Sequence, residues 1–267
     1  MKSRGYPERI VCLTEETTET LYLLGEDWRI VGISGFTVRP PRARREKPKV
    51  SAFTSARIDR IVALRPDLVL GFSDLQADIA AELVRAGIDV HVFNQRSVDG
   101  ILGMLRTLGG MIGCEAKAAA LAAELGAGIT AVRARTERLP RRPRVYFEEW
   151  DQPQISAIRW VSELIEIAGG IDCFPELARE PLGKNRIIAD PLEVPRRAPD
   201  IILGSWCGKK FRPASVAARP GWESVPAVKS GELHEVKSSL ILQPGPAALG
   251  DGLVAIAAIV ERWARGS

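Results

Sequence analysis

The sequence predicts an α/β protein of two lobes joined by one long helix, and three observations predict it. Apolar residues recur at three- and four-residue steps from Glu115 to Leu139 (Ala118, Leu121, Ala122, Leu125, Ile129, Val132), the period of an amphipathic helix. On either side of that segment, short apolar runs alternate with helical stretches at the spacing of strand–helix–strand units. The run PDLVLG at 66–71 is echoed by PDIILG at 199–204, a short repeat of the kind two similarly built lobes would leave. These features divide the chain into an N-terminal lobe over 1–112, a spine helix over 113–140 and a C-terminal lobe over 141–267.

A spine helix from Glu115 to Leu139 would extend roughly 37 Å at the rise of an α-helix. Gly113 and Pro140 bracket it, while Gly126 and Gly128 each cost about 1 kcal/mol against Ala in a helix interior. Taken in order, Arg9–Leu13 reads as a strand rich in β-formers. Thr14 or Thr17 then caps a helix that runs through Leu24 and stops at Gly25. Ile30–Ile33 is a second strand, followed by a Pro- and Arg-rich connection over Ser34–Lys49. Ile58–Leu64 is a helix ending before Pro66, and Asp67–Gly71 a continuous apolar strand of the parallel type. Ile79–Arg85 is the next helix and Asp89–Phe93 the next strand. Beyond the spine, Arg144–Phe147 is a strand and Trp160–Ala168 a helix closed by Gly169 and Gly170. Pro199–Gly204 and Leu233–Val236 are strands, and Ala247–Arg265 is a final amphipathic helix.

The 267 residues carry 26% charged and 46% hydrophobic side chains and a formal net charge of +4, an ordinary globular composition. The basic runs Arg39–Lys49 and Arg133–Arg144 lack interleaved aromatics, so they read as solvated loop and helix-end charge and not as a nucleic-acid groove. Cys12, Cys114, Cys173 and Cys207 are scattered, without zinc-ribbon spacing or a disulfide framework. His91 and His234 sit inside strand runs, which argues against a bare transition-metal site. No GxSxG elbow, Walker A loop or GxGxxG fingerprint is present. No apolar h-region opens the chain and no run is long enough to span a membrane. A cytoplasmic location is therefore expected of the text as written, and a periplasmic or surface-anchored one if a leader has been removed.

Four stretches resemble the helical-backbone (class III) substrate-binding proteins that serve vitamin B12 and iron–siderophore ABC importers. RIVCLTEETTETLYLLG is similar to that family's opening strand, Thr-Glu loop and helix ending in Leu-Gly. KPKVSAFTSARIDRIVALRPDLVLG resembles its connection, helix and Pro-Asp-Leu-Val strand. WVSELIEIAGGID looks like its helix ending in Ala-Gly-Gly, and SGELHEV like its late strand. The resemblance implies two Rossmann-like lobes bridged by a single long α-helix, with a small-molecule ligand in a cleft between the lobes. It also implies a monomer with no catalytic cofactor, binding a corrinoid such as cobalamin or a metal chelate. Docking on an ABC permease would fall near Asp78 and Glu193, next to the register positions Ala77 and Leu192. The alternative is a cytosolic cofactor-handling protein or enzyme using the same cleft.

In open α/β sheets ligands bind beyond the carboxyl ends of the strands, and the candidate binding residues are those that follow each strand. In the first lobe these are Glu15, Phe36, Phe53 and Phe72. In the second they are Glu149, Trp150, Trp160, Trp206 and Gln243. Aromatic rings with a few polar groups suit a flat, mostly apolar ligand with a polar rim. Trp150 and Trp206 are assigned to loops lining the pocket, while Trp160 either lines it or packs its own helix. Glu148, Glu149 and Asp151 form an acidic cluster that would accept hydrogen bonds from ligand amides, pair with Arg159, or form a solvated loop. Cys207 is a soft ligand for cobalt or iron, or a buried free thiol.

Overall fold

The computed structural model describes residues 5–266, which divide into two compact units. Among the described residues the first comprises 5–95 and 99–125, the second 96–98 and 126–266. Among the described residues no helix is long and apolar enough to cross a membrane.

The first unit opens with β1 (Ile10–Cys12), α1 (Glu15–Leu23), β2 (Ile30–Ser34), α2 (Pro41–Glu46) and β3 (Lys49–Ser51). It continues through α3 (Ile58–Ala63), β4 (Leu68–Phe72), α4 (Ala77–Arg85), β5 (Val90–Phe93) and α5 (Val98–Met111). Its strands form a parallel sheet in the order β3-β2-β1-β4-β5. Side chains alternate across such a sheet, so Ile10, Cys12, Leu68, Leu70 and Phe72 enter one core. Val11, Leu13 and Val69 enter a second, on the opposite face. Burial on both faces is why β4 reads as the unbroken apolar run LVLGF.

The spine is α6 (Glu115–Thr136), the long helix that links the two units: residues up to Leu125 belong to the first and those from Gly126 to the second. It runs through Gly126 and Gly128 but ends three residues before the expected Leu139. The Thr136 hydroxyl donates to the Ile167 carbonyl at 2.8 Å, and the Leu139 N–H turns back to the Thr136 carbonyl at 3.1 Å. Helix α5 is absent from the sequence reading. Four glycines disguise it (Gly100, Gly103, Gly109, Gly110), and one has a packing reason: a Cβ on Gly109 would lie 2.2 Å from that of Ala118 on α6.

The second unit contains β6 (Arg144–Asp151), β7 (Gln154–Ser156), α7 (Arg159–Ile167), β8 (Ile171–Asp172), α8 (Glu193–Arg197) and β9 (Ile201–Gly204). It closes with α9 (Pro213–Ala217), α10 (Pro226–Ser230), β10 (Leu233–Glu235), α11 (Ser238–Ile241) and α12 (Leu253–Arg265). The sheet order is β10-β9-β6-β7, with β8 also on β6; only β7 is antiparallel among the described strands. Strand β6 outlasts the expected Arg144–Phe147 by four residues, because its polar tail pairs with β7 (Trp150 opposite Ile155, Asp151 opposite Gln154). The closing helix also differs from expectation. Its first part, Ala248–Gly252, is a wider π-type turn, pressed so close to α11 that a Cβ on Gly252 would meet the Leu240 carbonyl at 2.5 Å.

Candidate functional site

In each sheet there is a point where the chain's progress across the strands reverses, and there two neighbouring loops part at the carboxyl ends. In the first unit it lies between β1 and β4. Beyond Leu13 the chain leaves the sheet for α1, so the last amide of β4 has no strand to pair with on that side. The side chain of Gln76 takes that place. Its Oε1 accepts from the Phe72 N–H at 2.9 Å, and its Nε2 donates to the Phe53 carbonyl at 2.8 Å and towards that of Leu13 at 3.5 Å. Those partners settle which end of the amide is oxygen. Gln76 is fully buried, and Gly71 makes room for it: a Cβ there would sit 2.9 Å from Oε1. Between the two, Ser73 takes a φ of +66°, and its hydroxyl accepts from the Leu75 N–H at 3.2 Å.

Helix α1 follows β1 and begins acidic, with Glu15 and Glu16 in its first turn and Glu19 in the next, all buried. Thr14 is the N-cap by position, but its hydroxyl donates to Glu16 Oε1 at 2.6 Å and caps no backbone N–H. Glu16 Oε2 has no partner among the described residues, and burial pushes the carboxyl up to about 8. Burial likewise raises Glu15, and pushes the Cys12 thiol at the end of β1 up to about 12. Glu19 is paired, accepting from Arg39 Nε at 2.7 Å.

In the second unit the reversal falls between β6 and β9, and again a buried side chain bridges it. Glu148, wholly enclosed, accepts from Trp206 Nε1 at 3.1 Å, from the Tyr146 hydroxyl at 3.0 Å, and from both Arg219 terminal nitrogens at 2.6 and 2.9 Å. Glu149 makes a two-point pair with the buried guanidinium of Arg186 at 2.7 and 3.0 Å. Asp151 holds Lys209 Nζ at 2.6 and 2.8 Å, and that ammonium lies 5.1 Å from the Trp150 ring centre and 4.8 Å from that of Trp206.

Of the residues singled out in the sequence, Phe53 and Phe72 come together on the Gln76 bracket and pack against one core. Trp150 and Trp206 come together on Lys209. Trp150 is half-buried on a strand, not in a loop, and its indole N–H donates to the Gln152 carbonyl at 2.9 Å. Trp206 lies in the loop after β9, as expected, but is only 4% exposed and packs edge-on against Phe211 in the core. Trp160 packs its helix, donating to the Ile241 carbonyl at 2.8 Å. Phe36 is exposed, Glu15 is buried in α1, and Gln243 is half-buried in the turn after α11. The acidic cluster does not pair with Arg159, which bonds Glu163 one helical turn on. Cys207 is exposed rather than buried. His234 is bonded to Glu232, and His91 packs edge-on against Phe93. Gln76, Arg186 and Arg219 were not singled out in the sequence: Arg186 and Arg219 find their carboxylates 37 and 71 residues away, and Gln76 joins nearby Phe72 to Phe53, 23 residues away.

Comparison with known proteins places this architecture. A cobalamin-binding protein of Halobacterium salinarum is 28% identical over 252 residues, a match covering 90% of this chain and 66% of that protein. The chain therefore spans about two thirds of the length of this relative. The solved periplasmic vitamin B12-binding protein of Vibrio cholerae superposes with a TM-score of 0.78 at 19% identity, over 98% of this chain and 99% of the other. A periplasmic heme-binding protein from Roseiflexus, solved in its apo form, superposes with a TM-score of 0.79 at 24% identity, over 95% and 99%. Both structures share the fold. The family profile described as "Periplasmic binding protein" matches residues 10–240, and the chain belongs to that family.

Proposed function

We propose that this chain is a non-enzymatic binding protein for a flat tetrapyrrole-type metal chelate, a corrinoid or a heme, with the carboxyl-end surfaces of its sheets as the candidate binding surfaces. The ligand class is carried over from the named relatives, which bind cobalamin or heme. One observation favours binding over catalysis. Every carboxylate of the cluster an enzyme would use is taken up by a base: Glu148 by Arg219, Glu149 by Arg186 and Asp151 by Lys209. Oxygens engaged in this way hold basic side chains and aromatic rings in place, whereas a general acid or base needs an oxygen within hydrogen-bond reach of the reacting proton. The same reading assigns docking on an ABC permease to the neighbourhood of exposed Asp78 and of Glu193. Glu193 is bonded to Arg196 and Arg197, so Asp78 is the freer contact.

The test is an absorbance titration with cyanocobalamin, cobinamide and hemin, followed in parallel by tryptophan fluorescence. Saturable binding of one of them, weakened about tenfold by Trp150→Ala without a change in melting temperature, supports the reading. Absence of binding to all three would sink it. Trp206→Ala is the wrong probe, because removal of a buried ring costs about 3–5 kcal/mol of stability whatever the ligand.

A further inference from the structure

We propose that Gln76 is a positioning residue for the ligand surface of the first unit, holding the Phe53 and Phe72 backbones in one fixed relation. The proposal rests on the reading of the carboxyl-end surface given above. Gln76 spans the point where the sheet order reverses, the place where a ligand-facing surface is built from two different loops. Its amide pairs one backbone donor and one backbone acceptor from two different loops, the Phe72 N–H and the Phe53 carbonyl. Each belongs to a residue whose ring packs on the same core beside that surface. The bracket is also built in from below, since Gly71 leaves the space that the side chain fills and any Cβ would crowd it. A carbon side chain of the same size would fill that space and bond neither loop. Nearby Ser73, held at a φ of +66°, shows that the β4 loop is kept in a conformation it would not choose alone.

Chemistry gives the amide a signature that packing alone does not have. Gln76→Glu keeps the oxygen facing the Phe72 N–H, but sets a second oxygen against the Phe53 carbonyl. Ionised, it repels that carbonyl; protonated, it donates to it as the amide does. Gln76→Met fills the space and makes neither bond. Cyanocobalamin and hemin affinities are measured for the wild type and both variants at pH 5 and pH 8, with circular dichroism confirming the fold. Amide hydrogen exchange is followed at Phe72 and across Phe53–Ser55. The Glu variant should bind the probe at least tenfold more weakly than wild type at pH 8 and within about twofold of it at pH 5. The Met variant should be weakened tenfold at both. Exchange of the Phe72 amide should be faster in the Met variant, and that of the Phe53 loop faster in the Glu variant at pH 8 only. A Met variant that binds as wild type does overturn the positioning role, even if the Glu variant fails to fold at pH 8. Unchanged exchange in both variants overturns the bracket itself. If wild type binds neither probe, the ligand reading fails, and exchange alone still decides whether Gln76 holds the two loops.

Discussion

Asp200 accepts the backbone N–H of Arg144 on its carboxylate at 2.8 Å and returns its own N–H to the Arg144 carbonyl at 2.8 Å. In the first unit Asp67 does the same for Arg9, at 2.9 and 3.0 Å, and takes the Glu8 N–H as well at 2.8 Å. The PD-apolar-apolar-Leu-Gly repeat is thus a mechanical unit. Its aspartate pins the start of the neighbouring strand, its apolar residues fill the sheet core, and its glycine leaves room at the far end. The residues before the two prolines, Arg65 and Ala198, match as well, with φ of 47° and 45°. This left-handed turn stops the preceding helix and aims the strand.

Replacing either aspartate should therefore loosen its own sheet. Asp67→Ala and Asp200→Ala are each expected to cost about 1–2 kcal/mol, the range of hydrogen bonds to a partly exposed charged acceptor. Asp67 should cost more, because it holds two N–H groups. Asparagine keeps one acceptor oxygen and should cost less. Urea midpoints decide: if the alanine variants are as stable as wild type, the pinning role is lost.

The glycines of the repeat should differ sharply. A Cβ on Gly204 would lie 1.8 Å from Phe211 Cδ2, in a ring packed against Trp206, whereas the one on Gly71 meets only the tip of Gln76 at 2.9 Å. Gly204→Ala should cost roughly 3 kcal/mol or more, the upper end for overpacking, and Gly71→Ala distinctly less. Adding Phe211→Ala to Gly204→Ala should recover part of the loss, giving non-additive melting temperatures. Simple additivity would show that ring and glycine are not in conflict.

What could be read from the chain in advance follows from what is local. Strands such as β1 and β4 are continuous apolar runs between turn signals, α4, α6 and α7 keep helical period, and α1 is bracketed by Thr14 and Gly25, so all were legible. Helix α5 was not, because Gly109 is there for the close approach to Ala118 rather than for helix propensity. The tail of β6 was not, because Glu148, Glu149 and Asp151 look like a solvated loop until Arg219, Arg186 and Lys209 arrive from elsewhere in the chain. The rule that sites follow strand ends singled out Phe53 and Phe72, which meet on Gln76, and Trp150 and Trp206, which meet on Lys209. It had no means of finding Gln76, whose partners are set by tertiary pairing.

The Glu148–Arg219 pair offers a sharper test of that buried polar network. Arg219→Met leaves a carboxylate with no exposed surface and no counter-charge, and should cost about 3–5 kcal/mol. Glu148→Gln with Arg219→Met removes both charges and should recover at least half of that loss, while Glu148→Gln alone should resemble it less closely. A double-mutant cycle on urea stability measures the coupling. A coupling energy near zero would mean that the pair is incidental to the fold.

Glu16 makes stability depend on pH in a direction opposite to that of most carboxylates. Burial lifts its folded-state value from the usual 4.5 to about 8, so between those limits the native state holds a proton that the unfolded chain has released. Stability from this group is complete below about pH 4.5, declines as pH rises, and is exhausted by about pH 8. The slope for one proton is about 1.4 kcal/mol per pH unit. Gln cannot ionise, keeps the acceptor for the Thr14 hydroxyl, and has no such slope. Other titrating groups are common to both proteins and cancel in the comparison. Glu16→Gln should therefore match wild type near pH 4.5 and exceed it increasingly up to pH 8, where its melting temperature is higher. Urea titrations at several pH values measure the difference; parallel curves would show that Glu16 is ionised in the native protein and that its environment solvates the charge.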